Sequence, residues 1–308
     1  MFIADTHSDT LYAIGWHKAP DEKLMITPEK LRRGGVSLQT FALWTGAKGN
    51  QGDWRGIVQA ELSAAPKMEE AGIRQVFRPA EALPYAEKGE HCYMLSVEGG
   101  EVFEPGLSTV AEYRGRGVVM AALLWNNENA LGYAAKSGDT RGLKPYGLQV
   151  ALEMQRVGMA VDTSHLNEAG FWDLFNKTNV PPLASHSCCK ALCGHARNLT
   201  DDQIRAMIRG GGYIGVNFYP FFLDEEGKAD CETICRHIDH ICQLGGEKIV
   251  GFGSDFDGIE CTPSDLPDAA ALPHLLDTLR AWGFAEEIIE GFAGRNLLAY
   301  YERIGQGA

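Results

Sequence analysis

Eight short apolar runs, each separated from the next by a helix-like stretch, constrain the fold of this chain more than any other feature of its sequence. Their length and residue content predict β-strands. Strands that alternate with helices predict parallel βαβ units, and eight such units are the number that closes a barrel. The predicted fold is therefore α/β, a (β/α)8 TIM barrel. The predicted strands are Phe2–Asp5, Ser37–Leu43, Cys92–Val97, Val118–Leu124, Met159–Thr163, Pro182–Ser185, Tyr213–Phe218 and Lys248–Gly253.

The stretches between these strands carry helix start and stop signals, including a Pro at a helix start, a Thr-Asp-Asp-Gln capping box and terminal glycines. We find no low-complexity linker and no repeat, which predicts one domain over residues 1–308. An open doubly wound sheet is the alternative, but no Gly-rich phosphate loop follows the first strand. The predicted helices are Pro145–Val157, Ile204–Ile208, Asp230–Leu244 and, inside a long Gly46–Glu90 crossover, Trp54–Ala71.

Composition excludes several classes of protein. A formal net charge of −13, without a run of five or more Lys and Arg residues, argues against nucleic acid as a partner. The first twelve residues include Asp5, His7 and Asp9, so they do not resemble a signal peptide, and Val118–Trp125 is too short to span a bilayer. The eight cysteines fit buried, reduced thiols and a cytoplasmic location. A zinc site built on cysteines is the alternative.

Histidines and carboxylates follow five of the eight predicted strands. The carboxyl ends of barrel strands meet on one face, where barrel enzymes place their active sites. Three His, one Asp and one Glu suffice for two zinc ions if the Glu bridges them. Asp255 would then carry protons, which predicts hydrolysis of an amide or an ester. The predicted metal ligands are His7, Asp9, Glu98, His165 and His186.

The same residues lie in motifs through which the chain resembles the membrane dipeptidase (renal dipeptidase) family, peptidase family M19, of the amidohydrolase superfamily. The resemblance extends over the whole chain. The motifs are Asp5-Thr-His-Ser-Asp9, Ser96-Val-Glu-Gly-Gly100, Val161-Asp-Thr-Ser-His165, Ser185-His-Ser187, Arg197-Asn198, Val216-Asn-Phe-Tyr219, Val250-Gly-Phe-Gly-Ser-Asp-Phe-Asp-Gly258 and Gly291-Phe-Ala-Gly-Arg-Asn296.

The resemblance implies a binuclear zinc dipeptidase with two Zn²⁺ per chain, bridged by Glu98 and a hydroxide. His7 and Asp9 would bind one ion, and His165 and His186 the other. Asp255 would be the acid/base. The resemblance also implies tolerance of a D-residue at the C-terminus of a dipeptide substrate, and a possible homodimer.

Three residues are expected to contact the substrate. Arg197 would pair with the substrate carboxylate, as the resemblance implies, and a planar, permanently charged guanidinium suits that role. Tyr219 and Phe222, in an aromatic cluster after the seventh predicted strand, are expected to line the pocket, with core packing as the alternative. The loops Gly46–Glu90 and Phe221–Ala229 are expected to determine side-chain specificity.

The chain departs from the family pattern in two ways. Asn126 stands where well-studied members carry a His that touches the scissile carbonyl; Asn can donate a hydrogen bond to an oxyanion but cannot become cationic. We expect an altered rate or substrate preference, with the metal site retained. The signal peptide and lipid-attachment tail of membrane-anchored members are not found, so no membrane anchor is expected.

Each of these residues could instead have a purely structural role. The alternatives are a surface turn at His7 and Asp9, a helix cap at Glu98, core histidines at His165 and His186, and a surface ion pair at Arg197. Asp257 is expected to be structural. His237 and His240 are expected to lie on a solvated helix face. Two other functions stay open, namely hydrolysis of lactones, phosphotriesters or N-acyl amino acids, and dipeptide binding without catalysis.

Overall fold

Nine strands, all paired in parallel, occur in the described part of the chain, and eight of them close into a ring. The computed structural model describes residues 1–46, 53–178 and 181–305. The strands are β1 (Ile3–Asp5), β2 (Val36–Trp44), β3 (Ile73–Gln75), β4 (His91–Glu98), β5 (Val118–Ala122), β6 (Ala160–Asp162), β7 (Leu183–Ala184), β8 (Tyr213–Val216) and β9 (Val250–Phe252).

The ring closes because β2 pairs with both β1 and β4. The β2–β4 register runs from Leu38 opposite Cys92 to Trp44 opposite Glu98. The short strand β3, which the sequence analysis did not predict, pairs with the first half of β4 and lies outside the ring. The predicted (β/α)8 barrel is therefore confirmed, and its eight strands are the eight predicted runs with ends that differ by a few residues.

Helices connect the strands and cover the outside of the ring. They are α1 (Thr10–Gly15), α2 (Pro28–Gly34), α3 (Trp54–Ala64), α4 (Pro66–Glu70), α5 (Leu83–Ala86), α6 (Ser108–Gly115), α7 (Pro145–Arg156), α8 (Glu168–Lys177), α9 (Asp201–Gly210), α10 (Pro220–Leu223), α11 (Cys231–Gln243), α12 (Leu272–Trp282), α13 (Glu286–Glu290) and α14 (Asn296–Arg303). None of the described helices combines the length and apolar character needed to cross a bilayer.

The predicted capping box is present at α9, where Thr200 and Gln203 exchange hydrogen bonds with each other's backbone. The single helix predicted over Trp54–Ala71 is wrong. It is divided into α3 and α4 at Pro66, which lacks the backbone N–H that a continuous helix needs at that position. Residues 47–52 of the predicted Gly46–Glu90 crossover lie outside the described residues.

The C-terminal helix α14 packs against the barrel near the amino-terminal ends of its strands. Leu297 and Tyr300 of α14 belong to one buried apolar cluster with strand residues such as Leu38, Met120 and Tyr213. Asn296 fixes the start of this helix, because its side chain donates hydrogen bonds to the carbonyls of Glu247 and Val250. The carboxyl ends of the strands lie at the opposite end of the barrel.

Candidate active site

The five predicted metal ligands converge at the carboxyl ends of four strands. His7 and Asp9 follow β1, Glu98 ends β4, His165 follows β6 and His186 follows β7. All five are buried, with exposures between 1% and 7%. The structure thus brings together residues that are up to 179 positions apart, although the roles assigned to them stay predictions.

The first group contains His7, Asp9 and Glu98. His7 Nε2 lies 3.6 Å from Asp9 Oδ2 and 3.6 Å from Glu98 Oε2. Among the described residues, neither His7 Nε2 nor Asp9 Oδ1 has a hydrogen-bond partner, although both atoms are buried. Buried polar atoms are rarely left unpaired. The three side chains also place one ligand atom each within 4.8 Å of the others, which is the arrangement expected of cation ligands.

The second group contains Glu98, His165 and His186. Glu98 Oε1 lies 2.6 Å from His165 Nε2 and 3.5 Å from His186 Nε2. The two histidine Nε2 atoms are only 3.1 Å apart. Glu98 therefore belongs to both groups and presents one oxygen to each, as a bridging ligand would.

Hydrogen bonds on the far side of the two rings fix their orientation. His186 Nδ1 lies 2.7 Å from Ser185 Oγ, which in turn donates to Asp162 over 2.5 Å. His165 Nδ1 lies 3.2 Å from Asn126 Oδ1. With Nδ1 occupied in this way, each ring directs Nε2 towards Glu98, which is how supporting groups prepare a histidine to bind a metal.

The charges in the site are strongly coupled. Burial disfavours ionisation of Glu98, but His7 and His165 outweigh burial and lower its pKa. Burial likewise disfavours the charged ring of His7, yet Glu98 and Asp9 raise its pKa well above its usual value. Burial lowers the pKa of His165 to about 4 and that of His186 further below its usual value. The carboxylates thus stabilise positive charge between them, while His165 and His186 are neutral and able to donate lone pairs.

Three histidine nitrogens and two carboxylates form a donor set that suits zinc. A cation bound to the first group would pair its unpaired buried atoms, His7 Nε2 and Asp9 Oδ1. A second cation would explain why His165 Nε2 and His186 Nε2 lie so close together. The residues present therefore fit two divalent ions that share Glu98.

Asp255, the predicted acid/base, lies beside the first group. It follows β9 with φ of +63°, a backbone conformation that is uncommon outside glycine. Its Oδ1 is 3.8 Å from His7 Nε2, and its Oδ2 accepts a hydrogen bond from Asn217 over 2.8 Å. Burial, together with Asp9 and Glu98 and against the effect of His7, raises the pKa of Asp255 to about 7.

Asp257, two residues later, is structural as predicted. Its carboxylate accepts hydrogen bonds from the backbone N–H groups of Met25 and Ile26 and from the hydroxyl of Thr10. These contacts fasten the loop after β9 to the segment before α2, next to Asp255 and the predicted metal ligands.

Arg197 is a buried cation with unused hydrogen-bonding capacity. It is 3% exposed, and its Nη1 has no hydrogen-bond partner among the described residues. Its Nη2 donates to the carbonyl of His186 over 3.4 Å, and its guanidinium lies 5.6 Å from the Phe222 ring. His195 supports this arrangement, because its ring packs on Phe222 and its Nδ1 accepts from the Arg197 backbone.

A cavity of about 340 Å³ opens above these groups. Arg197, Tyr219 and Phe222 form one part of its lining, and contact of these three side chains with a substrate stays a prediction. Asn126 also lines it, while its side chain holds His165. Lining residues that the sequence analysis did not assign are Tyr12, His17, Trp44, Trp125, Lys136 and Glu260.

Trp44 and Trp125 form an aromatic wall, with ring centres 5.1 Å apart. A usable signal existed for both, since each lies at or just after the end of a predicted strand. Asp162, Ser185 and Asn217 also lie within the family motifs but were not given supporting roles. Their contacts depend on neighbouring strands and only the fold shows them.

The prediction of a solvated face for His237 and His240 is wrong for His237. This side chain is 1% exposed and lies between the backbone N–H of Cys189 and the carbonyl of Leu223. His240 is half-buried and lies 2.8 Å from Asp201. Six of the eight cysteines are buried free thiols, as predicted, whereas Cys242 is partly exposed and Cys261 exposed.

Comparison with known proteins agrees with this geometry. An uncharacterized protein in the pqqA 5′ region of Klebsiella pneumoniae is 37% identical over 220 residues, which cover 68% of this chain and 81% of that protein. The structure of dipeptidase AC, a metallopeptidase of family M19, superposes with a TM-score of 0.89 at 25% identity and covers 100% of this chain and 99% of its own.

The same fold occurs in a metallopeptidase from Rhodobacter sphaeroides, liganded with a phosphinate mimic of the dipeptide L-Ala-D-Ala. Its TM-score is 0.89 at 24% identity, with 99% of each chain covered. The sequence model of the membrane dipeptidase family matches residues 1–306. The chain therefore belongs to the membrane dipeptidase family, peptidase family M19.

Proposed function

We propose that this protein is a zinc-dependent dipeptidase that hydrolyses the peptide bond of short peptides, including dipeptides with a C-terminal D-residue. The observation that carries the proposal is the pair of buried ligand groups that share Glu98 below a cavity which also presents Arg197. Family membership supports peptidase chemistry, and the expected D-residue tolerance follows from the family resemblance.

His7 and Asp9 would hold one zinc ion, His165 and His186 the other, and Glu98 both. Bound zinc would polarise a carbonyl and lower the pKa of water. Ser185 and Asn126 would keep the histidine rings in the orientation that binding requires. The ions are proposed as zinc because a mixed nitrogen and oxygen donor set suits that metal.

Asp255 would accept a proton from the attacking water and deliver it to the departing amine. A carboxyl group with a pKa of about 7 can do both near neutral pH, since it is neither fully protonated nor a very weak base there. Asn217 donates to Oδ2 and leaves Oδ1 facing the metal ligands. The intact acid/base argues against a protein that only binds dipeptides.

Arg197 would bind the C-terminal carboxylate of the substrate. Its buried, unpaired Nη1 is a donor that lacks an acceptor among the described residues, and a carboxylate would supply one. The Phe222 ring lies against the guanidinium from one side, and His195 packs on Phe222. A fixed anchor for the C-terminus together with a cavity of about 340 Å³ limits the substrate to short peptides.

The test combines elemental analysis with substrate hydrolysis on one preparation. We expect zinc near two ions per chain, and cleavage of dipeptides with L- and D-residues at the C-terminus. Dipeptides amidated at the C-terminus are the matched control and should be poor substrates. Zinc without cleavage of any dipeptide, alongside turnover of esters or N-acyl amino acids, would move the protein to another hydrolase activity. Absence of metal after growth with added zinc would overturn the proposal.

A further inference from the structure

A second group of metal-binding side chains lies outside the candidate active site. It consists of Cys231, the first residue of α11, Asp265 in the loop between β9 and α12, and His274 in the first turn of α12. One ligand atom from each residue lies within 4.8 Å of the ligand atoms of the other two. None of the three is among the residues of the catalytic groups.

The carboxylate of Asp265 is already oriented between the other two residues. Its Oδ1 accepts a hydrogen bond from the backbone N–H of Cys231 over 2.9 Å, and its Oδ2 lies 3.1 Å from His274 Nε2. The adjoining backbone is fixed as well, since Ser264 N–H donates to the carbonyl of Ala229 over 2.9 Å. The three donors are therefore held together by the fold before any ion binds.

The spacing and the chemistry suit a tetrahedral borderline cation. Zinc with bonds of about 2 Å to nitrogen and oxygen keeps those two ligand atoms about 3.3 Å apart in a tetrahedral site, close to the distance from Asp265 Oδ2 to His274 Nε2. Sulfur, nitrogen and oxygen together are ligands that zinc accepts and that magnesium and calcium do not select.

The group is also open to solvent on one side. Cys231 is buried, whereas the side chains of His274 and Asp265 are 54% and 36% exposed. An ion can therefore enter from water and keep a water molecule as its fourth ligand.

We infer that Cys231, Asp265 and His274 bind one divalent cation, with Zn²⁺ as the preferred ion, separately from the metals of the catalytic site. The ion would join the segment that leads from β8 into α11, which carries Tyr219 and Phe222, to the loop after β9, which carries Asp255. Both segments line the substrate cavity. The site would thus stabilise the cavity wall without contacting the substrate.

Burial, the charge of Asp265 and a hydrogen bond to it raise the pKa of the Cys231 thiol. Binding must therefore displace the thiol proton, and affinity should increase with pH. The proposed site does not depend on the proposed dipeptidase activity.

Cobalt provides a selective probe, because among the groups of possible metal ligands in the described residues this one alone contains a cysteine, whereas the catalytic groups contain histidines and carboxylates. Full-length protein stripped of metal with a chelator is titrated with Co²⁺ and its absorption is recorded. We expect a near-ultraviolet thiolate-to-cobalt charge-transfer band that saturates as one bound ion per chain. No such band at saturating Co²⁺ would overturn the inference, and the three residues would then form only a hydrogen-bonded cluster.

Variants assign the band. Cys231→Ser should abolish it and lower the bound cobalt by one ion per chain, while dipeptide hydrolysis, if present in the parent, is retained. His274→Ala, at a half-exposed position, should weaken the band even if the Cys231 variant does not fold. Cys261→Ser removes the exposed cysteine and is the matched control, which should leave the band unchanged. A band of undiminished intensity in His274→Ala, or loss of the band in Cys261→Ser, would contradict the site.

Discussion

Protonation of His237 is expected to destabilise the folded protein in acid, and the size of the effect follows from the surroundings of its ring. Its Nδ1 accepts a hydrogen bond from the N–H of Cys189 over 3.0 Å, and its Nε2 lies 2.9 Å from the carbonyl of Leu223. Only a neutral ring can accept at Nδ1 and donate at Nε2. Burial lowers the pKa of His237 from 6.5 to about 4.

The sign follows from proton binding in the two states. As pH falls below 6.5, the unfolded chain binds a proton at this histidine before the folded chain does, so the free energy of unfolding decreases until pH reaches the folded pKa. Above pH 6.5 the contribution is fully present. Between about pH 7.5 and about pH 4.5, a shift of this size removes about 2.5 kcal/mol.

The assay compares the wild type with His237→Gln, whose carboxamide can accept from Cys189 and donate to Leu223 without titrating. Urea unfolding of both proteins is measured at the two pH values. Acid effects at the active site occur in both proteins and cancel in the difference between them, provided that the sites are independent. The wild type should lose about 2.5 kcal/mol more than the variant. Equal losses in the two proteins would refute the reasoning.

Three further predictions concern the catalytic site. Asp255→Asn should lower kcat about 10²- to 10⁴-fold, because the proton carrier is lost. The number of zinc ions bound per chain, measured by elemental analysis, should not change. A lower zinc content in this variant would instead identify Asp255 as a metal ligand. Ser185→Ala leaves His186 Nδ1 without its hydroxyl partner. Zinc affinity, measured by competition with a chelator, should fall about 10- to 100-fold. An unchanged zinc affinity would contradict the proposal that Ser185 orients the His186 ring. Arg197→Lys keeps the positive charge but loses the planar guanidinium, so KM for dipeptides should rise about tenfold. Dipeptides amidated at the C-terminus are the control. An equal change in KM for free and amidated dipeptides would contradict binding of the substrate carboxylate by Arg197.

The barrel and the grouping of its strand-end histidines and carboxylates could be predicted from the sequence because both depend on local order along the chain. Alternating strands and helices favour parallel strands, and parallel strands in a closed ring have their carboxyl ends on one face. Any His, Asp or Glu that directly follows a strand must then lie at that face. For this reason His7, Glu98 and His186 could be grouped before their distances were known.

Contacts between segments far apart in the chain required the tertiary structure. The sequence places His237 on an amphipathic helix, but whether its ring meets water or the backbone of Cys189 depends on how α11 packs against the loop after β7. Asn126 likewise acquires its contact with His165 from the adjacent strand ends.

The approach of Cys231 to Asp265 and His274 arises in the same way, from loops that the barrel brings together. Local periodicity determines which residues form each strand or helix and which face of it is apolar. Local periodicity does not determine which side chain of a neighbouring strand or helix lies opposite a given residue. That pairing depends on packing distances and strand register, which are decided only when the barrel closes.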